Sequence, residues 1–429
     1  MLFYVGAFLL ALHTKGETMA KEFTNKPSGN LRQWSPMKFI VWFGVVSLFA
    51  DFVYEGARSV TGPFLASLGA SAALVGLITG IGEAMALAGR LGTGPLADKT
   101  KAYWPLAIGG YALTVISVPL LGAVSFLWLA AVLVIAERAG KAIRSPAKDV
   151  MLSHAASSMG RGKGFAIHEA LDQVGAFIGP LMVAGVLALT SSYSWAFALL
   201  AAPGAVVLYI LFWLKRKVPN PTLYELTSPS AEEAGTKELK PMTWRRLPNA
   251  FWWYFAFTLL TTAGFATFGV ISFHIAKAHL FSAPLIPIIY AVAMGVDAVA
   301  ALIAGYFYDK IGRKSLIVVP FLTALIPLTA FTNSSLLVFV GVAIWGGVMG
   351  IHESTMRAAI ADLIPSYIRG TAYGIFAVGF GVATLIGGVL SGVLYENSLS
   401  SLILVVILLQ IVALVILVVG LVKKRELAR

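Results

Sequence analysis

Apolar residues occur along this chain in long unbroken runs, not in the one-sided stripes of water-facing helices. Runs long enough to cross about 30 Å of hydrocarbon as helix fall at 38–60, 70–96, 103–122, 124–147, 163–188 and 192–214. A second set falls at 250–274, 285–308, 314–332, 335–358, 367–394 and 399–422. The pattern predicts an all-α membrane protein with twelve transmembrane helices in two six-helix bundles. Between the sets, residues 215–248 carry Pro219, Pro221, Pro229, Glu232, Glu233 and several basic residues, the composition of a linker. The expected organisation is an N-terminal segment (1–35), a first bundle (36–214), a cytoplasmic linker (215–248) and a second bundle (249–425). The apolar run 2–12 is too short to span and lacks a basic leader and a small-residue cleavage site. Met19-Ala-Lys-Glu reads as the more natural start, so residues 1–18 are expected to reflect an upstream start codon.

Composition supports the membrane reading. Hydrophobic residues make up 58% of the 429 positions and charged residues only 12%, with a mean hydropathy of +0.84. Soluble chains carry about 25% charged residues, so lipid must shield this surface. The chain has no cysteine, which excludes disulfides, thiolate metal sites and cysteine nucleophiles. The net charge of +12 is a question of placement. Basic residues gather at Lys21, Lys26, Arg32 and Lys38, at Lys99 and Lys101, and at Lys148, Arg161 and Lys163. They recur at Lys215, Arg216, Lys217, Arg245 and Arg246, at Lys310, Arg313 and Lys314, and at Lys423, Lys424 and Arg425. In the alternate loops Lys277 is the only lysine, with Arg58 at an edge. By the positive-inside rule both termini are expected in the cytoplasm, with the protein in the inner (plasma) membrane. The charge then reports topology, and no nucleic-acid partner is expected.

The two halves repeat. Gly94-Pro-Leu-Ala-Asp98-Lys99 follows span 2, and Gly305-Tyr-Phe-Tyr-Asp309-Lys310-Ile-Gly312-Arg313-Lys314 follows span 8. Arg144 and Asp149 after span 4 match Arg357 and Asp362 after span 10, and Arg161-Gly162 matches Arg369-Gly370. Three features at nearly one spacing indicate internal duplication, as in many secondary transporters. The glycine–aspartate–basic signature between spans 2 and 3, returning between spans 8 and 9, resembles that of the major facilitator superfamily; the first copy departs after Lys99. Span 5 carries Gly175-x-x-x-Gly179-Pro180, which resembles the centre of an antiporter motif and equally suits close helix packing. The pattern Arg138-x-Gly-Lys141-x-x-Arg144-x-Pro146-x-x-Asp149, with Gly347-x-x-Gly350-x-His352-Glu353 opposite, is similar to a prokaryotic group of mostly efflux-type members. The resemblance implies alternating access. It also implies a cytoplasmic gate of Gly94, Asp98, Lys99, Gly305, Asp309, Lys310 and Arg313, with Arg144 and Arg357 beside it.

Charges inside a bilayer cost at least about 2.5–3.5 kcal/mol each, so they usually face a cavity and act there. Asp51, Glu55 and Arg58 share one face of span 1, and two carboxylates at close range can hold one proton between them. Glu83 in span 2, with Arg90 on its face, and Asp297 in span 8 are near repeat partners. Arg138 on span 4 and Asp172 on span 5 are the expected cross-helix pair. Asp51, Glu55, Glu83, Arg138, Asp172 and Asp297 are thus the candidate proton-coupling and substrate-cavity residues. Glu137, Lys141, His168, Glu169, His352 and Glu353 are secondary candidates, for which interfacial anchoring or local pairing serves equally well. Phe251-Trp-Trp-Tyr254 is expected at an interface, and Trp345 and Phe268 are candidate cavity walls.

No phosphate-cradling loop, His-Glu-x-x-His metal spacing, cofactor site or enzyme constellation is present. The expected function is proton-coupled antiport exporting a small molecule, such as a drug, a metabolite or a siderophore-like compound. Import of a small anion or nutrient with protons is the first alternative, and a non-transporting membrane sensor or lipid-handling protein the second. The partners are then a small-molecule substrate, the proton and membrane lipid, with the chain acting as a monomer.

Overall fold

The computed structural model describes residues 34–157, 161–226, 247–364 and 369–427. The N-terminal segment up to residue 33, with residues 1–18, and most of the linker lie outside the described residues. Those described form α-helices and no strand. The helices are α1 (Pro36–Ser67), α2 (Ala72–Ala88), α3 (Arg90–Thr100), α4 (Tyr103–Leu121), α5 (Leu127–Ala156), α6 (Arg161–Thr190), α7 (Tyr193–Leu199), α8 (Ala201–Lys217) and the short α9 (Leu223–Leu226). The second half holds α10 (Asn249–Ala263), α11 (Phe268–Lys277), α12 (Leu285–Ile311), α13 (Val318–Ala330), α14 (Ser335–Leu363), α15 (Arg369–Asn397) and α16 (Leu399–Leu427).

Ten stretches are long and apolar enough to cross a membrane. One of them, Leu285–Ala330, contains both α12 and α13, joined at Gly312 by a tight 3-10 turn. The helix α5 is a further crossing, less apolar because Glu137, Arg138, Lys141 and Arg144 lie within it. Pairs α2/α3, α7/α8 and α10/α11 each make one crossing in two pieces, so the described residues form twelve crossings in all.

Contacts at helix ends show which ends lie together. At the face where α1 begins, here called proximal, Trp104 Nε1 donates to the Val218 carbonyl (3.1 Å) and Tyr224 Oη to that of Trp34 (2.9 Å). At the opposite, distal face, the Ala73 N–H donates to Glu396 (3.2 Å) and Ser335 Oγ to the Leu280 carbonyl (3.1 Å). Lys99, Lys101, Lys310, Arg313 and Lys314 all fall at the proximal ends of their helices.

Each half has its own apolar core. Phe39, Phe43, Phe64, Trp104, Tyr111 and Phe197 centre the first, and Phe251, Phe257, Phe268, Tyr290, Phe331 and Trp345 the second. Phe251 and Tyr254 are therefore core residues and not interfacial anchors, because α10 buries the side that carries them and Phe257, with Tyr254 stacked on Phe376 of α15. Large side chains such as Leu189, Leu302, Tyr209 and Phe126 are exposed, an arrangement that lipid satisfies and water does not.

The halves meet mainly through α2 with α15, α6 with α12, and α11 with α1. Close approach depends on glycine. A side chain at Gly76 would strike the Gly388 carbonyl, and one at Gly392 that of Ala72. Gly175 and Gly179 of α6 perform the same packing role within the first half, seating the Leu48 and Phe52 carbonyls of α1.

Candidate functional site

Five charged residues of the first half form one continuous ladder. Glu55 pairs with Arg58 (3.4 Å), Arg58 with Glu83 (3.0 Å), Glu83 with Arg138 (3.3 Å), and Arg138 with Glu137 (3.1 Å). Local helix geometry explains it: Glu55 and Arg58 are one turn apart on α1, and Arg138 of α5 faces Glu83 of α2. Gly82 permits that approach, since a side chain there would stand 2.9 Å from Arg138 Cγ. Alternating signs let each guanidinium serve two carboxylates, the geometry in which buried ions offset their lost hydration. Glu137 Oε1 and Arg138 Nη1 are nevertheless buried without a partner.

The ladder reaches the other half through Tyr290 of α12, whose hydroxyl donates to Glu55. It borders a small cavity of about 30 Å³ walled by Tyr54, Arg58, Glu83, Glu137, Arg138, Thr267 and Phe268, room for about two waters. The cavity is closed toward the distal face. There the Thr79 and Thr267 hydroxyls bond across the halves (2.9 Å), and Gly62 of α1 packs on Gly269 and Ser272 of α11.

On the proximal side of the ladder lies a second group. Lys141 Nζ donates to Tyr54 Oη (3.1 Å), and Arg144 donates to Thr114 (2.7 Å) while covering the Tyr111 ring at 4.7 Å. His168 bonds Ser47 (2.8 Å) and lies 3.7 Å from Asp172, with Glu169 exposed alongside. His168, Glu169 and Asp172 can bring three ligand atoms within 4.8 Å of one another.

Several expectations change here. Arg138 does not pair with Asp172; its partners are Glu83 and Glu137, because Asp172 faces His168 on its own helix. Arg90, two turns from Glu83, donates to the Ala86 carbonyl (3.2 Å). Asp297 is buried at the α6–α12 contact, where Gln173 donates to it at 3.4 Å. His352 is not part of a gate ion pair: it is buried between Phe265 and Phe380, with Nε2 unpartnered. Phe268 lines the cavity, whereas Trp345 is buried, stacking on Phe265 and donating to the Ala266 carbonyl (2.9 Å).

The gate segments also differ from expectation. Gly94, Asp98 and Lys99 lie on helix α3, and Gly305, Asp309 and Lys310 on α12, so both stretches are helical and not loops. Asp98, Lys99, Asp309 and Lys310 are exposed, and Lys310 covers the Tyr306 ring at 4.4 Å. Gly312 and Arg313 form the turn after α12. Tyr308 donates to Asp362 (2.8 Å), and the Arg357 side chain lies outside the described residues. Sequence reasoning passed over Tyr54, Tyr290, Thr79 and Thr267, because neutral side chains among apolar runs carry no charge signal.

The sequence profile of the Major Facilitator Superfamily matches residues 44–280 and 254–428. An uncharacterized protein of Mycobacterium tuberculosis is 52% identical over 387 residues, covering 89% of this chain and 92% of the relative. An uncharacterized MFS-type transporter of Methanocaldococcus jannaschii is 27% identical over 395 residues, covering 89% and 94%. Among solved structures, the nucleoside transporter NupG superposes with a TM-score of 0.70 at 13% identity, covering 89% of this chain and 99% of that one. A peptide transporter of the POT type superposes with a TM-score of 0.71 at 14% identity, covering 91% and 94%. Twelve crossings in two halves, a charged cavity between them and a profile match along nearly the whole chain give one answer: this protein belongs to the Major Facilitator Superfamily and is a multi-span membrane transporter.

Proposed function

We propose that the transporter is proton-coupled and moves a small molecule through the space between its halves by alternating access, with both termini cytoplasmic. The observation that carries this reading is the ladder from Glu55 to Glu137, which joins α1, α2 and α5 and ends on Tyr290 of the other half. A proton placed on Glu55 weakens its bond to Tyr290 of the other half and its hold on Arg58, and one placed on Glu83 removes the anion shared by Arg58 and Arg138. Asp297, joined to Gln173 across the same interface, is the matching acceptor in the second half. Asp51 and Asp172 lie nearer the proximal face and serve as the entry for protons. Asp98 and Asp309, with their basic neighbours, close the proximal face in the opposite state.

Two directions of transport follow from two features. Export by antiport is the direction implied by Gly175-x-x-x-Gly179-Pro180, although these glycines also have a packing function against α1. Import of an anion with protons is favoured by Lys141 and Arg144, which face aromatic rings and hydroxyls. Purified protein in liposomes with an internal pH dye, challenged with compounds that stabilise it thermally, tests the coupling. The expected result is proton movement that accompanies substrate and is lost in Glu83→Gln. Substrate flux with no proton movement and no response to an imposed pH gradient sinks the reading, and the sign of the proton movement separates export from import.

A further inference from the structure

Three cations of α5 gather around one phenol ring of α1. Lys141 Nζ lies 4.5 Å from the centre of the Tyr54 ring, Arg144 Cζ 5.5 Å and Arg138 Cζ 5.6 Å. They sit three residues apart on α5, so like charges share one helical face. Arg138 is neutralised by the ladder, but among the described residues Lys141 and Arg144 make no ion pair. Their partners are Tyr54 Oη, Thr114 Oγ1 and the Tyr111 ring. Arg144 is buried, and Lys141 is half-buried beside it.

Rings and hydroxyls are poor counter-charges. A cation over an aromatic face recovers only part of what removing an ion from water costs. Asp51 and Asp172 are within electrostatic reach of both cations, yet among the described residues neither bonds to them. The site holds two positive groups that, among the described residues, no carboxylate touches. Lys141 supplies a compact charge and Arg144 a planar fork suited to two oxygens. The cavity along the ladder, at about 30 Å³, admits only water in this state, so a larger ligand requires the halves to part, and Lys141 and Arg144 flank the ladder on its proximal side.

We infer that Lys141 and Arg144, gathered at Tyr54, bind the anionic group of the transported molecule, a carboxylate or a phosphate-like oxyanion, when the halves part on the proximal side. As the site's substrate class, this rests on the reading of the cavity as a transport site; anion binding itself does not depend on proton coupling.

The test uses the full-length protein in detergent at constant chloride and ionic strength. Thermal unfolding is followed with acetate, benzoate and succinate as the carboxylate arm, and with inorganic phosphate and sulfate as the oxyanion arm. Tetraphenylphosphonium and uridine are the cationic and neutral probes. The expected result is concentration-dependent stabilisation by at least one anion and by neither of the other two probes. Apparent affinity should fall about tenfold or more in Lys141→Gln and in Arg144→Gln, the loss of one charge-assisted contact, and recover in Lys141→Arg. The responding arm names the anion. Stabilisation by the cationic or neutral probe alone, no response to any anion, or an anion response unchanged in both glutamine variants overturns the proposal. Proton exchange is measured on the same samples: anion binding without it defeats the coupling reading and leaves this one standing.

Discussion

The two halves of this transporter share an architecture and differ in chemistry. The first half places Glu55, Arg58, Glu83, Arg138 and Glu137 in one ion-paired ladder within its membrane-spanning helices. The second half fills the corresponding space with rings: Trp345 lies between Phe265 and Phe268, and Phe268 packs on Tyr290. Glu83 and Asp297 occupy near-equivalent repeat positions, yet Glu83 serves two arginines and Asp297 accepts one long hydrogen bond from the other half. The two halves thus share a scaffold, while the ion pairs among the described residues collect in the first. Charges buried in one connected network share counter-ions, as Glu83 does between Arg58 and Arg138. On this arrangement the second half acts as the apolar wall against which the charged half works, and Tyr290 is where the ladder bonds to that wall.

The sharpest way to break this asymmetry is Glu83→Gln. It leaves Arg58 and Arg138 facing one another without their common anion, so it should cost roughly 3 kcal/mol of stability, in the range for breaking a buried pair, and abolish proton-linked transport. Thermal unfolding and proteoliposome flux both report it. Adding Arg138→Gln to Glu83→Gln should restore neither stability nor transport, because Arg138 is also the ion-pair partner of Glu137, which would stay buried without it. Stability unchanged in the single variant would show that the ladder is not a unit.

Tyr290→Phe should have the next largest effect, and it tests the junction between the halves. It removes a charge-assisted hydrogen bond to Glu55, an interaction of about 2 kcal/mol, or roughly 30-fold in the ratio of distally sealed to distally open molecules. The chain has no native cysteine, so spin labels on Ser67→Cys and Ser400→Cys report distal opening without background. An unchanged distance distribution would place the junction elsewhere, with Thr79–Thr267 the next contact to remove.

The frame of this molecule was legible in the sequence because its determinants are linear. Hydrophobic run length sets a helix crossing, loop charge sets the expected orientation, and the spacing of Asp98 and Asp309 exposed the repeat. The ladder was half legible: Glu55, Glu83 and Arg138 stood out as charges amid apolar residues, but their pairing did not. Arg138 meets Glu83 and not Asp172 because Gly82 opens a path between α2 and α5, a three-dimensional fact with no trace in spacing along the chain. Tyr54 and Tyr290 escaped notice for a related reason. A tyrosine in a membrane helix resembles packing until its hydroxyl is seen on a lysine or a glutamate. His352 erred the other way, since an ionisable type drew attention to a residue that sits in an aromatic core.

Asp297→Asn should change little in stability. Its one bond, from Gln173, is 3.4 Å long, beyond the usual range for a strong hydrogen bond, and an amide can still accept it. The expected outcome is thermal stability within about 1 kcal/mol of wild type, together with a flattened dependence of transport on the imposed pH gradient. A loss as large as that of Glu83→Gln would mean that the second half carries charge chemistry equal to the first.

The smallest expected effect is at the distal face, where the halves meet outside either core. Glu396, at the end of α15, accepts the Ala73 N–H in the first turn of α2, so a carboxylate of one half caps a helix of the other. Such a cap gains from the partial positive charge of the helix start as well as from the hydrogen bond. Beside it Tyr395 packs against both cores and bonds His274, which in turn bonds the Thr332 carbonyl, so the end of α15 is held firmly to its own half while it reaches across. Glu396→Gln keeps shape and hydrogen-bonding capacity but removes the charge. It should shift the sealed-to-open ratio by only about two- to fivefold, read with the same label pair, and the shift should fade at high salt because the contact is exposed. A salt-independent effect as large as that of Tyr290→Phe would move the principal latch from the buried junction to the rim.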